Sequence, residues 1–323
     1  MKFESTRTAR PARFDHRAAF YHDPADLLAT AVPIAGAALS DDIPVALLTS
    51  PATEAGIRAE LGDSPGLIPM PPTAAELRMS GQATVTRWAR QLRELTEWAG
   101  PLIVLTEHHP DRTGLSASAW TEADAAMNVA LSALPITMTC LFPRQLARAS
   151  TEAVTWNHSR LLDDAGTVWD NPDVRSPADV LASHPVAAPP RLGRPDRELT
   201  FTPWQLIDLR STVAAATAEV GMDVDRADDF VLAVNEVAGN AVEHGSGVAR
   251  LHIWRTPDFL VCEIHDTGRL DEALVGLRTP HPNNPRGRGL WIARQLCDML
   301  HVWSDQGGTH VRMHTAVPGR GAG

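Results

Sequence analysis

The chain has 323 residues, 44% hydrophobic and 21% charged, with a formal net charge of −10. That is room for about two soluble globular domains. The acidic balance argues against a sequence-independent grip on nucleic acid or on an anionic membrane, since either needs a basic surface.

Residues 1–13 read as a polar tail. Lys2, Arg7 and Arg10 have no apolar core behind them, so no secretory leader is expected and the expected location is cytoplasmic. The small-apolar stretch 27–39 contains Pro33 and is too short to span a bilayer. From 14 to 184, strand-like and helix-like runs alternate. Residues 42–49 read as a buried strand, 52–61 as a helix stopped by Gly62, and 67–70 as a short strand. Val85, Trp88, Leu92, Leu95 and Trp98 are helix-spaced within 73–98, which stops at Gly100. Residues 101–106 form a strand. Residues 121–134 form a helix led by the capping-box pattern Thr121-Glu122-Ala123-Asp124. Residues 136–142 are a strand, and 145–162 a further helix. This alternation predicts an α/β domain over 14–184, with a mainly parallel sheet and helices on both faces.

Residues 185–198 are proline-rich and read as a linker. A second domain is predicted over 199–317. Thr202-Pro203 opens a helix to Val220, and Asp225 caps a helix over 226–244 with Gly245 beyond its end. Strands follow at 248–255 and 259–265. A helix over 289–300 then leads to strands at 301–304 and 309–317, joined by a turn with Gly307-Gly308. The order predicts an α+β sandwich, a helical layer on a mixed or antiparallel sheet.

Two counts narrow the chemistry. Lys2 is the only lysine, which excludes a Walker-type phosphate loop, the strand lysine of eukaryotic-type protein kinases, and Schiff-base chemistry. Cys140, Cys262 and Cys297 are scattered, so neither a disulfide framework nor a CxxC metal site is expected.

Three blocks in the last third carry the chemistry. Glu236, Asn240 and His244 recur every four residues and fall on one slanted helical stripe. Asn240 offers an amide oxygen, a hard ligand suited to Mg²⁺, and Glu236 can polarise a hydroxyl or water one turn away. Asp266-Thr267-Gly268 ends an apolar strand; its carboxylate can accept from an adenine amino group, and Gly268 lets a base approach the backbone. Arg286-Gly287-Arg288-Gly289-Leu290 opens a helix, whose glycine amides and N-terminus attract phosphate. The segment 269–286, with three prolines, reads as a lid.

Together these blocks resemble the GHKL (Bergerat-fold) ATP-binding domain, and within it the anti-sigma-factor serine/threonine kinase branch. Glu236-x3-Asn240 matches the first box, Asp266-x-Gly268 the second and Gly287-x-Gly289 the third. Gly308-Thr309 sits at the family's final Gly-Thr pair. The resemblance covers about 199–317. It implies ATP and Mg²⁺ as cofactors, Glu236 as catalytic base and Asn240 as metal ligand. It places His244, Asp266, Gly268, Arg286, Gly287, Arg288, Gly289, Leu290 and Thr309 with Asn240 around the nucleotide. The implied acceptor is a serine or threonine of an antagonist protein, and the implied partners are that antagonist and a sigma factor. A homodimer is allowed. Arg269-Leu270 departs from the second glycine that many members carry after the second box.

Other readings stay open. The domain can hold ATP as a binding switch without efficient transfer, or hydrolyse it as the gyrase and chaperone relatives do. It can also be a sensor-histidine-kinase-like protein lacking its own phosphoacceptor domain. The helix predicted over 203–220 has no histidine. His158, the nearest imitation of a phosphoacceptor, lacks an acidic neighbour and a following helical hairpin. In the first domain, His16, Tyr21, the strand at Val45 and Leu141-Phe142-Pro143 resemble the MEDS sensory domain, which implies a sensor without naming its ligand. Glu107-His108-His109 follows a strand and, with His16, is a candidate metal set; the competing reading is a polar surface loop.

Overall fold

A computed structural model describes residues 13–70, 80–108, 117–146, 148–185, 188–270, 274–280 and 288–318. The chain divides into two compact units, Met1–Gly81 with Trp88–His184, and Gln82–Arg87 with Pro185–Gly323. Among the described residues, no helix is long and apolar enough to cross a membrane.

The first unit runs β1 (Asp15–Tyr21), α1 (Pro24–Ser40), β2 (Val45–Leu48), α2 (Pro51–Leu61), β3 (Leu67–Pro69), α3 (Gly81–Ala99, of which Gln82–Arg87 belong to the second unit), β4 (Leu102–Glu107), α4 (Ala117–Ala130), β5 (Ile136–Pro143), α5 (Arg148–Asn157), β6 (Arg160–Leu162), β7 (Val168–Asp170) and α6 (Pro177–Ser183). Seven strands lie in the order β3-β2-β4-β5-β1-β6-β7. All neighbours are parallel except β6 and β7. Every residue of β2, and all but the last of β4 and β5, is buried, as expected for central strands covered on both faces.

Local chemistry sets the helix starts. Asp23 caps α1 by accepting from the amides of Ala25 and Asp26, with Pro24 in the first turn. Ser50 caps α2 through the amide of Thr53. Two expectations are corrected. Thr121 is not a cap: α4 begins at Ala117, and Thr121 is a buried residue inside it. The helix expected to reach Leu162 ends at Asn157, and Arg160–Leu162 joins the sheet as β6 beside β1.

In the second unit, β8 (Arg197–Phe201) leads through a 3-10 turn at Pro203–Gln205 to α7 (Leu206–Glu219) and α8 (Val224–His244). Then come β9 (Ala249–Arg255), β10 (Phe259–Asp266), α9 (Gly289–Leu296), β11 (Met299–Asp305) and β12 (Gly308–Ala316). The sheet order is β11-β12-β10-β9-β8, and every pair is antiparallel. β8 begins within the stretch read as linker; Arg197 to Phe201 pair with Ile253 to Ala249. The carbonyls of Pro190 and Gly193 accept from Arg312 and from the indole of Trp254.

α8 is the spine of this unit. Its buried residues are Phe230, Ala233, Val234, Val237, Ala238, Ala241 and Val242, steps of three and four that make one apolar stripe. Phe230 is fully buried, and a side chain of that size contributes about 1.5–3 kcal/mol on leaving water. The stripe packs with Leu251, Leu260, Cys262 and Ile264 of the sheet and with Ala293 of α9 in one core. The cap of α8 is Asp223, which accepts from the amide of Asp225; Asp225 itself lies in the first turn. α9 stops at Leu296, four residues short of the expected end, because Met299 and Leu300 pair with His314 and Met313 in the sheet.

Candidate functional site

With the apolar stripe of α8 fixed in the core, its flanking residues are fixed too. Glu236 and Asn240 are half-buried along that flank, and His244 is exposed at the helix end. Asp266 is the last residue of β10, between Ala249 of β9 and Thr309 of β12. The chain then turns sharply, and the Gly268 amide donates to Asp266 Oδ1 over 2.6 Å. Thr309 Oγ1 donates to the Gly268 carbonyl over 2.9 Å. Asp266, Gly268 and Thr309 are therefore locked to one another across two strands.

Glycines let these parts touch. A Cβ on Gly268 would stand 2.7 Å from Asp266 Oδ1 and 3.1 Å from Gly245 Cα. A Cβ on Gly245 would stand 2.9 Å from the same carboxylate oxygen. Gly245 thus brings the end of α8 onto the end of β10, besides stopping the helix. Gly308 has φ +134°, a region that favours glycine, and a Cβ there would lie 1.9 Å from the Asp266 carbonyl oxygen.

α9 begins against α8. A Cβ on Gly289 would meet Glu236 Oε2 at 2.9 Å and Asn240 Nδ2 at 3.0 Å. The first turn of α9, with its unpaired amides, therefore lies beside a carboxylate and a carboxamide.

These elements enclose a cavity of about 470 Å³, inside the size range of small-molecule sites. Val237, Asn240, Ala241 and His244 come from α8, Ile264 and Asp266 from β10, and Gly268, Arg269 and Leu270 from the turn after it. Val275, Leu290, Thr309 and Val311 complete the wall. The cavity is mostly apolar with a few polar groups aimed into it, as suits a flat heterocycle that must also be oriented. Burial raises the Asp266 carboxyl above its usual range; the Gly268 amide and the histidines at 265, 310 and 244 pull the other way without cancelling it.

Residues 199–315 match the family model of the histidine kinase-like ATPase domain. No curated protein matches the chain. The match runs from within β8 through most of β12, so it contains every wall of the cavity and both α8 and α9.

Of the residues singled out in the sequence, Asn240, His244, Asp266, Gly268, Leu290 and Thr309 line one cavity. Glu236 and Gly289 are not in its wall but abut Asn240, and Arg288 directly precedes α9. Arg286 and Gly287 lie outside the described residues, as does half of the proposed lid. The donors fit a Mg²⁺-bound phosphate chain: a carboxamide oxygen and a carboxylate beside a helix N-terminus, with no lysine needed. The apolar walls Val237, Ala241, Ile264, Val275 and Val311 were not singled out; Val237 and Ala241 belong to the buried stripe of α8.

Glu107 Oε2 accepts from the Ser50 amide over 2.8 Å, joining the ends of β2 and β4. His108 is buried, which overturns the surface-loop reading for that residue, and His109 lies outside the described residues. His158 is fully buried and donates from Nδ1 to the Val154 carbonyl, so it is not presented to a phosphoryl donor.

Proposed function

We propose that the second unit binds Mg-ATP and transfers its γ-phosphoryl group to a serine or threonine of an antagonist protein, as in the anti-sigma-factor kinase branch of the GHKL superfamily. The single observation that supports the reading is that Asp266 and Asn240, remote in sequence, face the same apolar cavity. Asp266, oriented by the Gly268 amide, accepts from the exocyclic amino group of adenine. Thr309 holds the Gly268 carbonyl and so keeps that turn in place. Asn240 supplies an oxygen to the magnesium ion, which when bound neutralises phosphate charge. The first turn of α9 contributes amides to the phosphates. Glu236, beside Asn240, takes the proton of the incoming hydroxyl. The rest of the catalysis is positioning, since phosphoryl transfer asks little covalent chemistry of a protein.

In this reading the chain is a cytoplasmic regulator. The first unit is a MEDS-like sensory domain, the partner is a sigma factor or its antagonist, and neither nucleic acid nor membrane is contacted directly; a homodimer is compatible with it. The test is transfer of radiolabelled γ-phosphate to antagonist proteins encoded by the same genome. Glu236→Ala should retain ATP binding and lose transfer; full transfer by that variant removes Glu236 as the base. A second reading, an ATP-dependent binding switch, is favoured by the position of Glu236 beside the cavity wall and not in it. Tight ATP binding by the native chain without transfer to any antagonist selects that reading.

A further inference from the structure

One cluster in the first unit is unrelated to the nucleotide cavity. His16 on β1, Asp124 on α4, Cys140 on β5 and His158 between α5 and β6 each offer one ligand atom, and these four atoms lie within 4.8 Å of one another. All four residues are at most 2% exposed. We propose that they form a four-ligand site for a transition-metal dication of the zinc type.

Hydrogen bonds outside the cluster orient both imidazoles. The Asn128 amide nitrogen donates to the Asn157 carbonyl over 2.7 Å, which fixes that carboxamide so that its oxygen accepts from His16 Nδ1 over 3.0 Å. The lone pair of His16 is thereby on Nε2, which faces Cys140 Sγ at 3.3 Å. His158 donates Nδ1–H to the Val154 carbonyl over 2.7 Å, which leaves its lone pair on Nε2 as well. Metal-bound histidines are held in this way, one ring nitrogen tied to the protein and the other free to ligate.

The partner count favours a cation over a plain polar network. His158 Nε2 and Asp124 Oδ1 have no hydrogen-bond partner although both are buried. Unpartnered buried polar atoms are costly, and two facing the same point need a common explanation. A dication supplies it. It satisfies both atoms, and its two charges balance one thiolate and one carboxylate against two neutral imidazoles.

The donor set selects the metal class. One sulfur, two nitrogens and one oxygen are what tetrahedral zinc accepts, whereas calcium and magnesium require oxygen alone. Zinc bond lengths and a tetrahedral angle give nitrogen–sulfur edges of about 3.6 Å, close to the 3.3 Å between His16 Nε2 and Cys140 Sγ. Closing the widest pair takes a shift of about 1 Å. With four protein ligands, each at most 2% exposed, the site is structural in type, and it ties β1, α4, β5 and the α5–β6 corner together as folding proceeds. Asp124 and Asn128 are one turn apart on α4, so a single helix face delivers both a ligand and the residue that orients another. His108 Nε2, likewise buried without a hydrogen-bond partner, stands 4.0 Å from Asp124 Oδ1 but is not one of the four mutually close ligand atoms.

The experiment is metal analysis of the full chain purified without chelator after expression in zinc-supplemented medium. About one zinc per chain is expected, and Cys140→Ala and His158→Ala should each lose it. Asn128→Ala leaves all four ligands in place and should weaken retention against a chelator by roughly 10–100-fold. Should the ligand variants fail to fold, the native chain refolded with Co²⁺ gives an independent reading through a thiolate charge-transfer band in the near ultraviolet. Substoichiometric metal in the native chain, full zinc in the ligand variants, or cobalt bound without that band overturns the proposal.

Discussion

Asp266 Oδ1 accepts from the Gly268 amide over 2.6 Å, and this bond fixes the carboxylate at the wall of the cavity. The same turn is held from β12, where Thr309 Oγ1 donates to the Gly268 carbonyl. A carboxylate so constrained is an oriented acceptor, and burial has already removed part of its water. Asp266→Asn replaces a charged acceptor by a neutral one. A hydrogen bond to a charged group contributes about 1.5–3 kcal/mol, so ATP affinity should fall roughly 10- to 150-fold. Calorimetry with ATP and GTP is the check; unchanged affinities for both would remove Asp266 from base recognition.

Gly308 tests the architecture of the turn independently of any ligand. At φ +134° with the Asp266 carbonyl 1.9 Å from a hypothetical Cβ, an alanine has neither the backbone conformation nor the space. The obstacle is backbone, which cannot rotate away. Gly308→Ala should cost roughly 2–4 kcal/mol and appear as a lower denaturation midpoint. Gly239→Ala is the control, since nothing lies within 4 Å of its Cβ position; it should leave stability unchanged or slightly raised, since alanine favours the helix. Equal midpoints for the two variants would contradict the described turn.

The opposite face of the sheet predicts a pH dependence. Glu263 Oε1 lies 3.2 Å from His310 Nδ1, and Arg312 Nε donates to Glu263 Oε2 over 2.7 Å. Burial pushes the Glu263 carboxyl up, but His310 and Arg312 outweigh it and the net shift is downward. Burial pushes His310 down, but Glu263 and Asp305 outweigh it and the net shift is upward. The glutamate contribution is present above its unfolded value of about 4.3 and is lost as pH falls through the lowered folded value. The histidine contribution is complete below its unfolded value of about 6.5 and is lost as pH rises through the raised folded value. Both are complete only between those limits. Melting temperatures followed by differential scanning fluorimetry should fall from pH 6 to pH 9 more steeply in the native chain than in His310→Gln. Parallel curves would show that this pair carries no such linkage.

How much of this was legible in the sequence differs from element to element. The helix over 226–244 was legible from Asp225 near its start, Gly245 beyond its end and the four-residue recurrence of polar side chains along it. The same periodicity put Glu236, Asn240 and His244 on its flank. Asp266 alone reads as an ordinary turn at the end of an apolar strand; it became a candidate only through its order and spacing with the two other blocks. β8 was missed: Arg197 to Phe201 alternate in exposure, but the run is short and follows a proline-rich stretch. Thr121 was misread because a capping box in the middle of a helix has the same residues as one at its start. The second role of Gly245 could not be read locally, since it depends on Asp266, which comes from another strand. The buried quartet of His16, Asp124, Cys140 and His158 was hidden for the same reason: the chain supplies these residues one at a time from four elements.

The central claim is that the cavity shared by Asp266 and Asn240 holds an adenine nucleotide through a bound cation. Isothermal titration of the full chain with ATP, with and without Mg²⁺, tests it most directly, alongside Asn240→Ala. The account predicts one site per chain whose affinity depends on Mg²⁺ and is abolished in Asn240→Ala. No measurable heat of binding, or binding to Asn240→Ala with native affinity in Mg²⁺, would contradict it.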